Sequence, residues 1–157
     1  MPFDSLLQRK IMGRFATGVT VVTTVHDGEL RGMTANAVAS LSLDPPLILV
    51  AVARQAQMHA HLTASRFFAV NILDESQQEL SQRFAKPGPK EFADLAWRAG
   101  ETGAPLFEQG LGWLDCELHS ILPGGDHDNF LGLIVAGDHR DGAPLLYFSG
   151  KYQKLAE

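Results

Sequence analysis

An unbroken run of β-formers, Val19-Thr20-Val21-Val22-Thr23-Thr24-Val25, constrains this chain more than any other feature. Branching at Cβ restricts χ1 in a helix and suits a pleated surface, so the run predicts a strand. His26-Asp27-Gly28-Glu29 comes next. An Asp-Gly pair tolerates the positive φ of a tight hairpin turn, so Leu30 begins a return strand. Asp44-Pro45-Pro46 then breaks the chain, because two prolines cannot continue a ladder. Leu47 to Val52 is apolar at every position, the pattern of a strand covered on both faces. Phe67 to Leu73 reads as another strand. Further apolar stretches follow at Gly112 to Leu122, Phe130 to Ala136 and Leu145 to Phe148, with turn residues between them.

Helices are few and short. Asp4 or Ser5 can cap the first, which carries Leu7, Ile11 and Phe15 on one face and stops at Gly18. Met58 and Leu62 share a face of a second that ends near Ser65. Asp74 with Gln77 resembles a capping box and opens a third, bearing Leu80 and Phe84. Lys86 to Pro105 is rich in Gly, Pro and charge. It reads as a long functional loop over a barrel mouth, anchored by Phe92 and Trp97. Many strands with few helices predict a mainly β fold: a closed antiparallel barrel with flanking α-helices, in one domain over residues 1–157. No Gly-x-Gly-x-x-Gly follows a strand and no Walker sequence occurs, so a doubly wound sheet fits badly. A nucleotide phosphate, if one binds, has to be held some other way.

Composition removes several functions. The 13 basic residues are scattered and outnumbered by 18 acidic ones, for a net charge of −5. Nucleic-acid and membrane-surface binding both rely on clustered Lys and Arg, so neither partner is expected. No apolar run approaches the roughly 20 residues of a membrane span. The N-terminus lacks the apolar core and cleavage site of a secretion signal. Cys116 is the only cysteine, so no disulfide or dithiol pair forms and the cytoplasm is the expected compartment. No metal is expected either. His59-x-His61 places its imidazoles on different helix faces, and Asp126-His127-Asp128 cannot all point one way on a strand. Asp115 and Glu117 flank Cys116 and oppose a thiolate, and no Gly-x-Ser-x-Gly elbow serves a hydrolase.

The segment from Gly32 to Pro46, GMTANAVASLSLDPP, is dense in small residues and hydroxyls. Small side chains let a ligand approach main-chain N–H groups, and Thr34, Ser40 and Ser42 add hydroxyl donors. An edge strand or a tight barrel corner has the same composition. Extended to GMTANAVASLSLDPPLILV, the segment resembles the signature of flavin reductases of the FMN-binding split-barrel superfamily, the short-chain partners of two-component monooxygenases. Phe15 to Thr23 is similar to that family's opening strand, Ser65 to Leu73 to its mid-chain strand, and Arg83-Phe84-Ala85 to the turn after its second helix. Gly125-Asp126-His127 and Pro144 to Tyr152 resemble its C-terminal blocks, so the likeness runs through nearly the whole chain.

The resemblance implies a Greek-key split β-barrel. It also implies a reductase that passes hydride from NADH, or NADPH, to FMN or FAD and supplies reduced flavin to a partner monooxygenase. No Arg cluster marks a 2′-phosphate site, which favours NADH. Flavin contacts follow residue by residue. Thr34, Ala35 and Asn36 meet the ring and ribityl region, while Ser40, Leu41 and Ser42 lie near the phosphate and ribityl chain. Ala51, Val52 and Ala53 line the ring's other edge. Arg54 to Met58 form the loop nearest the phosphate, and Phe84 and Ala85 close over the ribityl tail. Many relatives carry a hydroxyl near the position of Met58, and this departure leaves FMN and FAD open. His127 would lie beside the ring and donate to the nicotinamide carboxamide, although a His in such a turn can equally bond local backbone. Tyr152 would pack on the nicotinamide or cover the pocket; a tucked C-terminal aromatic or a dimer contact are its alternatives. A homodimer is implied, with apolar strand faces and the N-terminal helix at its interface. The rival reading is a non-enzymatic flavoprotein of the same barrel that holds FMN tightly for electron relay.

Overall fold

The computed structural model describes residues 2–156. β2 (Thr20–His26) and β3 (Glu29–Ala35) form the expected hairpin, paired from His26↔Glu29 outward. Its turn has φ of 55° at Asp27 and 71° at Gly28, the twist that matches two right-handed strands. On its other side β2 pairs with β6 (Phe67–Ile72), and β6 with β9 (Gly112–Gly124). β9 pairs with β10 (His127–His139), β10 with β5 (Pro46–Ala53), and β5 with β4 (Val38–Leu43). The result is a seven-stranded antiparallel sheet in the order β3-β2-β6-β9-β10-β5-β4. A small sheet joins β1 (Thr17–Gly18) to β11 (Leu146–Phe148) and β12 (Lys151–Gln153).

The expectation of a closed barrel is corrected in one respect. Among the described residues no ladder joins the edges β3 and β4, although they are consecutive in sequence. Ala37 O accepts from Ala51 N (2.9 Å), which commits the connecting Asn36-Ala37 to β5 instead of β3. The sheet nevertheless curls around its apolar face. One buried cluster takes Ala35 from β3, Val22 from β2, Phe68 from β6, Phe130 from β10 and Val50 from β5, with Met33 and Val38 from the two edges packed against it.

Helix α1 (Ser5–Met12) starts as its cap predicts, with Asp4 Oδ1 accepting from Leu6 N at 2.9 Å. It stops at Gly13, short of the expected Gly18, and Phe15 lies beyond it. Gly13 O is taken by Ser149 N, so the C-terminal hairpin draws the chain out of the helix. Helix α2 (Gln57–Ser65) buries Met58 and Leu62, as their spacing requires. Helix α3 (Gln78–Ala85) begins later than Asp74 suggested. Gln77 Oε1 accepts from Asp74 N (2.8 Å), but the Asp74 carboxylate takes Ser76 N, so these bonds close a turn ahead of the helix. The segment after α3 contains a two-stranded ladder of β7 (Trp97–Ala99) and β8 (Pro105–Phe107). Phe92 and Trp97 do anchor it, in a second cluster with Phe84 and Phe107. No described helix is long and apolar enough to cross a membrane.

Cys116 lies in β9 with no exposed surface, and burial, aided by the Asp115 charge, pushes its thiol up to about 12. A neutral, covered thiol is inert. Native protein at neutral pH should therefore take up no iodoacetamide over a time in which urea-unfolded protein is fully alkylated. Intact-mass measurement counts the adducts.

Candidate functional site

Two clefts share a wall. The larger, about 380 Å³, lies between β3, the start of α2 and the segment from Phe84 to Lys90. The smaller, about 350 Å³, lies between β3, α3 and the C-terminal hairpin. Met33 and Ala85 line both. The shape follows from β3 being an edge strand with α3 laid across it. Thr34 Oγ1 donates to Ser81 O (2.6 Å), and Ser81 Oγ bonds the Tyr152 hydroxyl (2.7 Å). Gly32 permits the approach: a Cβ there would stand 2.6 Å from Phe84 Cε1, so only a glycine lets that ring reach the strand.

The smaller cleft combines apolar and polar walls. Tyr147 and Tyr152 stand edge to face at 5.3 Å, Val19 and Met33 add apolar surface, and Thr34, Asn36 and Ser81 add polar groups. That mix suits a planar aromatic ligand with a polar edge. In the larger cleft the chemistry is cationic. Arg31 lines it, and its Nε is buried without a hydrogen-bond partner, although a terminal nitrogen meets Glu29 at 3.1 Å. An orphaned guanidinium N–H is a place for an anion. His61 also lines this cleft, with its Nδ1 2.7 Å from that of His26; burial, then the Arg31 charge, lowers its pKa. The wall from Lys86 to Lys90 is tied down. Gly88 N donates to Gln57 Oε1 (3.3 Å), and Arg83 donates to Glu91 O (3.0 Å) while bridging Asp94 and Glu79.

The residues singled out in the sequence fall into two groups. Thr34, Asn36, Ala85 and Tyr152 line the smaller cleft, and Met58, Phe84 and Ala85 the larger. Met58 is the second residue of α2 and only 4% exposed, so the loop proper is Arg54 to Ala56. Ala35 and Val52 are core residues. Ser40, Leu41, Ser42, Ala51, Ala53, Arg54 and His127 line neither cleft. Ala51, Ala53, Arg54 and His127 gather at the end of β5 and the start of β10, where His127 pairs with Ala53 and Asp128 with Val52, whereas Ser40, Leu41 and Ser42 lie toward the other end of β5, with Ser42 opposite Leu47. The His127 side chain is 43% exposed, and its Nδ1 lies 2.7 Å from Asp126 Oδ1. The two groups adjoin through Arg54, whose neighbour Gln55 lines the larger cleft.

Sequence reasoning passed over several of these partners. Asp128 is no idle turn residue: His59 Nε2 lies 2.7 Å from Oδ2, and Arg54 donates to Oδ1 through Nε and Nη2 (3.2 and 3.0 Å). Those bonds, His59 first, hold its carboxyl below the usual range and tie α2 to the strand that carries His127. Strand alternation was the available signal, since neighbours on β10 face opposite ways. Arg31, Ser81 and Tyr147 were also missed. So were Lys86 and Lys90, whose signal was a pair of cations flanking Pro-Gly-Pro.

Residues 12–156 match the family model described as flavin reductase like domain. The NADH-dependent FAD reductase of Streptomyces globisporus is 40% identical over 163 residues, covering 99% of this chain and 88% of the relative. HsaB, the reductase subunit of a flavin-dependent monooxygenase in Mycobacterium tuberculosis, is 37% identical, covering 92% of this chain and 79% of its own length. A probable flavin reductase of Rhizobium meliloti is longer, and this chain spans 49% of it. Among solved structures, the Streptomyces globisporus NADH:FAD oxidoreductase SgcE6 in complex with NAD and FAD fragments superposes with a TM-score of 0.92 at 39% identity, over 98% of this chain and 93% of that one. Flavin reductase PheA2 does so with a TM-score of 0.91, also at 39% identity, over 99% of this chain and 100% of that one. With residues 12–156 matched by the family model and relatives 37–40% identical over most of its length, the chain belongs to the flavin reductase like domain family.

Proposed function

We propose that this flavin reductase uses NADH, holds flavin along the two joined clefts, and serves a flavin-dependent monooxygenase. The shared wall at Met33 and Ala85 carries the reading, because a cleft of tyrosines and hydroxyls opens there into one with an unpartnered Arg31 nitrogen. A planar ring tethered to a phosphate has that distribution of chemistry. Bound flavin supplies the redox step, accepting hydride from the nicotinamide and carrying the electron pair away. The protein's residues bind and orient.

Thr34 gives its hydroxyl to Ser81, which leaves the Asn36 amide and the nearby main chain as donors for a ring edge. Ala51 and Ala53 flank His127 on β5, outside the two clefts, while Ser40, Leu41 and Ser42 lie toward the other end of the β4–β5 ladder. Asp126 Oδ1 accepts from Nδ1, which leaves Nε2 as the free ring nitrogen of His127. Nε2 then accepts from the carboxamide NH₂, the reverse of the donation expected from the sequence. Orientation is what such a bond contributes to hydride transfer.

A second copy completes the site. Helix α1 buries none of its residues, and Leu6, Leu7, Ile11 and Met12 are 65, 46, 53 and 56% exposed. Apolar surface of that extent favours self-association, with the β3 and β4 edges as the split of a split barrel. A single cysteine agrees with a cytoplasmic enzyme.

His127→Ala should raise KM for NADH about two- to tenfold, the worth of one hydrogen bond, and should shift flavin binding less. Steady-state kinetics with both substrates varied reads the two apart, and an unchanged NADH KM removes His127 from the site. Purified protein should consume NADH once free FMN or FAD is added. A yellow protein that survives dialysis and ignores NADH is the carrier instead.

A further inference from the structure

We propose that Asp128 is a positioning residue for hydride transfer: with Arg54 and His59 it clamps the strand end that presents His127 to the nicotinamide. The inference rests on the His127 reading and deepens it. His127 sits at an insecure place. It closes the β9–β10 hairpin next to a turn in which Gly125 has φ of 69°, and Leu122 to Asp126 are all exposed. A hairpin tip with so little packing of its own frays unless something ties it down. A side chain that orients a substrate has to be held to within about half an ångström.

Arg54 grips the chain on both sides of His127. Its backbone N donates to Asp126 O (3.0 Å), on the residue before. Its guanidinium donates to Asp128 Oδ1 through Nε and Nη2 (3.2 and 3.0 Å), on the residue after. His59 takes the other oxygen of the same carboxylate. An ionised carboxylate only accepts, so His59 Nε2 donates to Oδ2 at 2.7 Å. The His59 ring stands edge-on to Phe130 at 5.2 Å, and Phe130 is fully buried. Met58 and Leu62 hold α2 in the core independently of Asp128. The clamp is therefore anchored in packed structure rather than in another loop.

Neighbours on a strand point to opposite faces, so Asp128 acts on His127 through the backbone and not by touching the nicotinamide. Fold stability is a poor account of three bonds converging on one carboxylate, because the Arg54 side chain is 50% exposed and ion pairs open to water stabilise little. Charge is no account either. Removing a carboxylate beside the site of an anionic dinucleotide strengthens binding, which lowers the KM for NADH, whereas lost positioning raises it. A plain tether between α2 and β10 has a third signature. Gln57, Met58 and His61 of α2 line the larger cleft, so slack in that helix reaches flavin first.

The test is a double-mutant cycle between His127→Ala and Asp128→Ala, read as the KM for NADH and the KM for flavin. Asp128→Ala should raise the KM for NADH about two- to tenfold and no further than His127→Ala does, since positioning can lose only what the positioned bond contributes. The KM for flavin should stay at its wild-type value. In the His127→Ala background Asp128→Ala should change neither. Asp128→Asn keeps the shape and an acceptor for Arg54, so it should recover part of the loss. Circular dichroism will verify folding, and the asparagine variant carries the same cycle if alanine does not fold. An NADH KM that stays or falls in Asp128→Ala, a flavin KM that rises as far, or effects of the two changes that multiply each overturn the proposal. If His127→Ala alone leaves the NADH KM unchanged, the His127 reading fails as well. That outcome is distinct from an effective His127 with a silent Asp128, which overturns the proposal alone.

Discussion

Phe84→Ala should lower stability by about 3–5 kcal/mol, the range for emptying a buried phenylalanine site. Phe84 is 1% exposed and is the piece through which α3 grips the sheet. Its ring packs against Phe92 at 5.2 Å and Phe107 at 5.7 Å, and fills the space a side chain at Gly32 would need. For a chain of this size each kcal/mol is worth about 2–4 °C, so the melting temperature should drop by about 6–20 °C. The same ring walls the larger cleft, and the KM for flavin should rise with the loss. Gly32→Ala should be destabilising by about 1–3 kcal/mol in the wild type through overpacking. In the Phe84→Ala background it should be nearly neutral, because the cavity accepts the new methyl. Additive effects of the two changes would show that the ring does not seat on Gly32.

Asp115→Ala should lower stability by about 2–4 kcal/mol while leaving flavin kinetics alone. Asp115 has no exposed surface, and its carboxylate accepts from Thr102 N (3.1 Å) and from the Thr102 hydroxyl. Those bonds pin the turn between β7 and β8 onto β9. Gly100 is part of the fit, since a Cβ there would stand 2.5 Å from Asp115 Oδ2. Alanine at 115 strands two donors inside the protein, and a stranded donor is penalised more than a made bond is rewarded. Asn keeps the shape and one acceptor, so Asp115→Asn should lose roughly half as much. Thr102 lines neither cleft, which separates this effect from that of Phe84→Ala. Thermal melts with parallel assays distinguish the two. A raised flavin KM in Asp115→Ala would mean that the turn reaches the site.

Much of the local structure could be read from residues close together in the chain. The β2–β3 hairpin follows from β-branching and one Asp-Gly pair, the α1 cap from Asp4, and the buried face of α2 from Met58 and Leu62. These are decided by sterics and hydrogen bonds within a few residues, and nothing distant overrules them. The small-residue signature around Thr34 to Ser42 carried the family in the same way, as a pattern along one stretch of chain.

Where distant segments compete, local signals stopped short. The end of α1 is set by Ser149 pulling on Gly13, and the split between β3 and β4 by Ala51 holding Ala37. Neither partner is near in sequence. The gathering of Arg31, Lys86 and Lys90 about one cleft depends on how α3 lies across β3, and so on the ring of Phe84 over a bare glycine. Side-chain chemistry is written residue by residue, but which charges end up facing one another is chosen by the burial of apolar surface far along the chain. That is why the family signature could be read along the chain in advance, whereas the gathering of Arg31, Lys86 and Lys90 at one cleft could not.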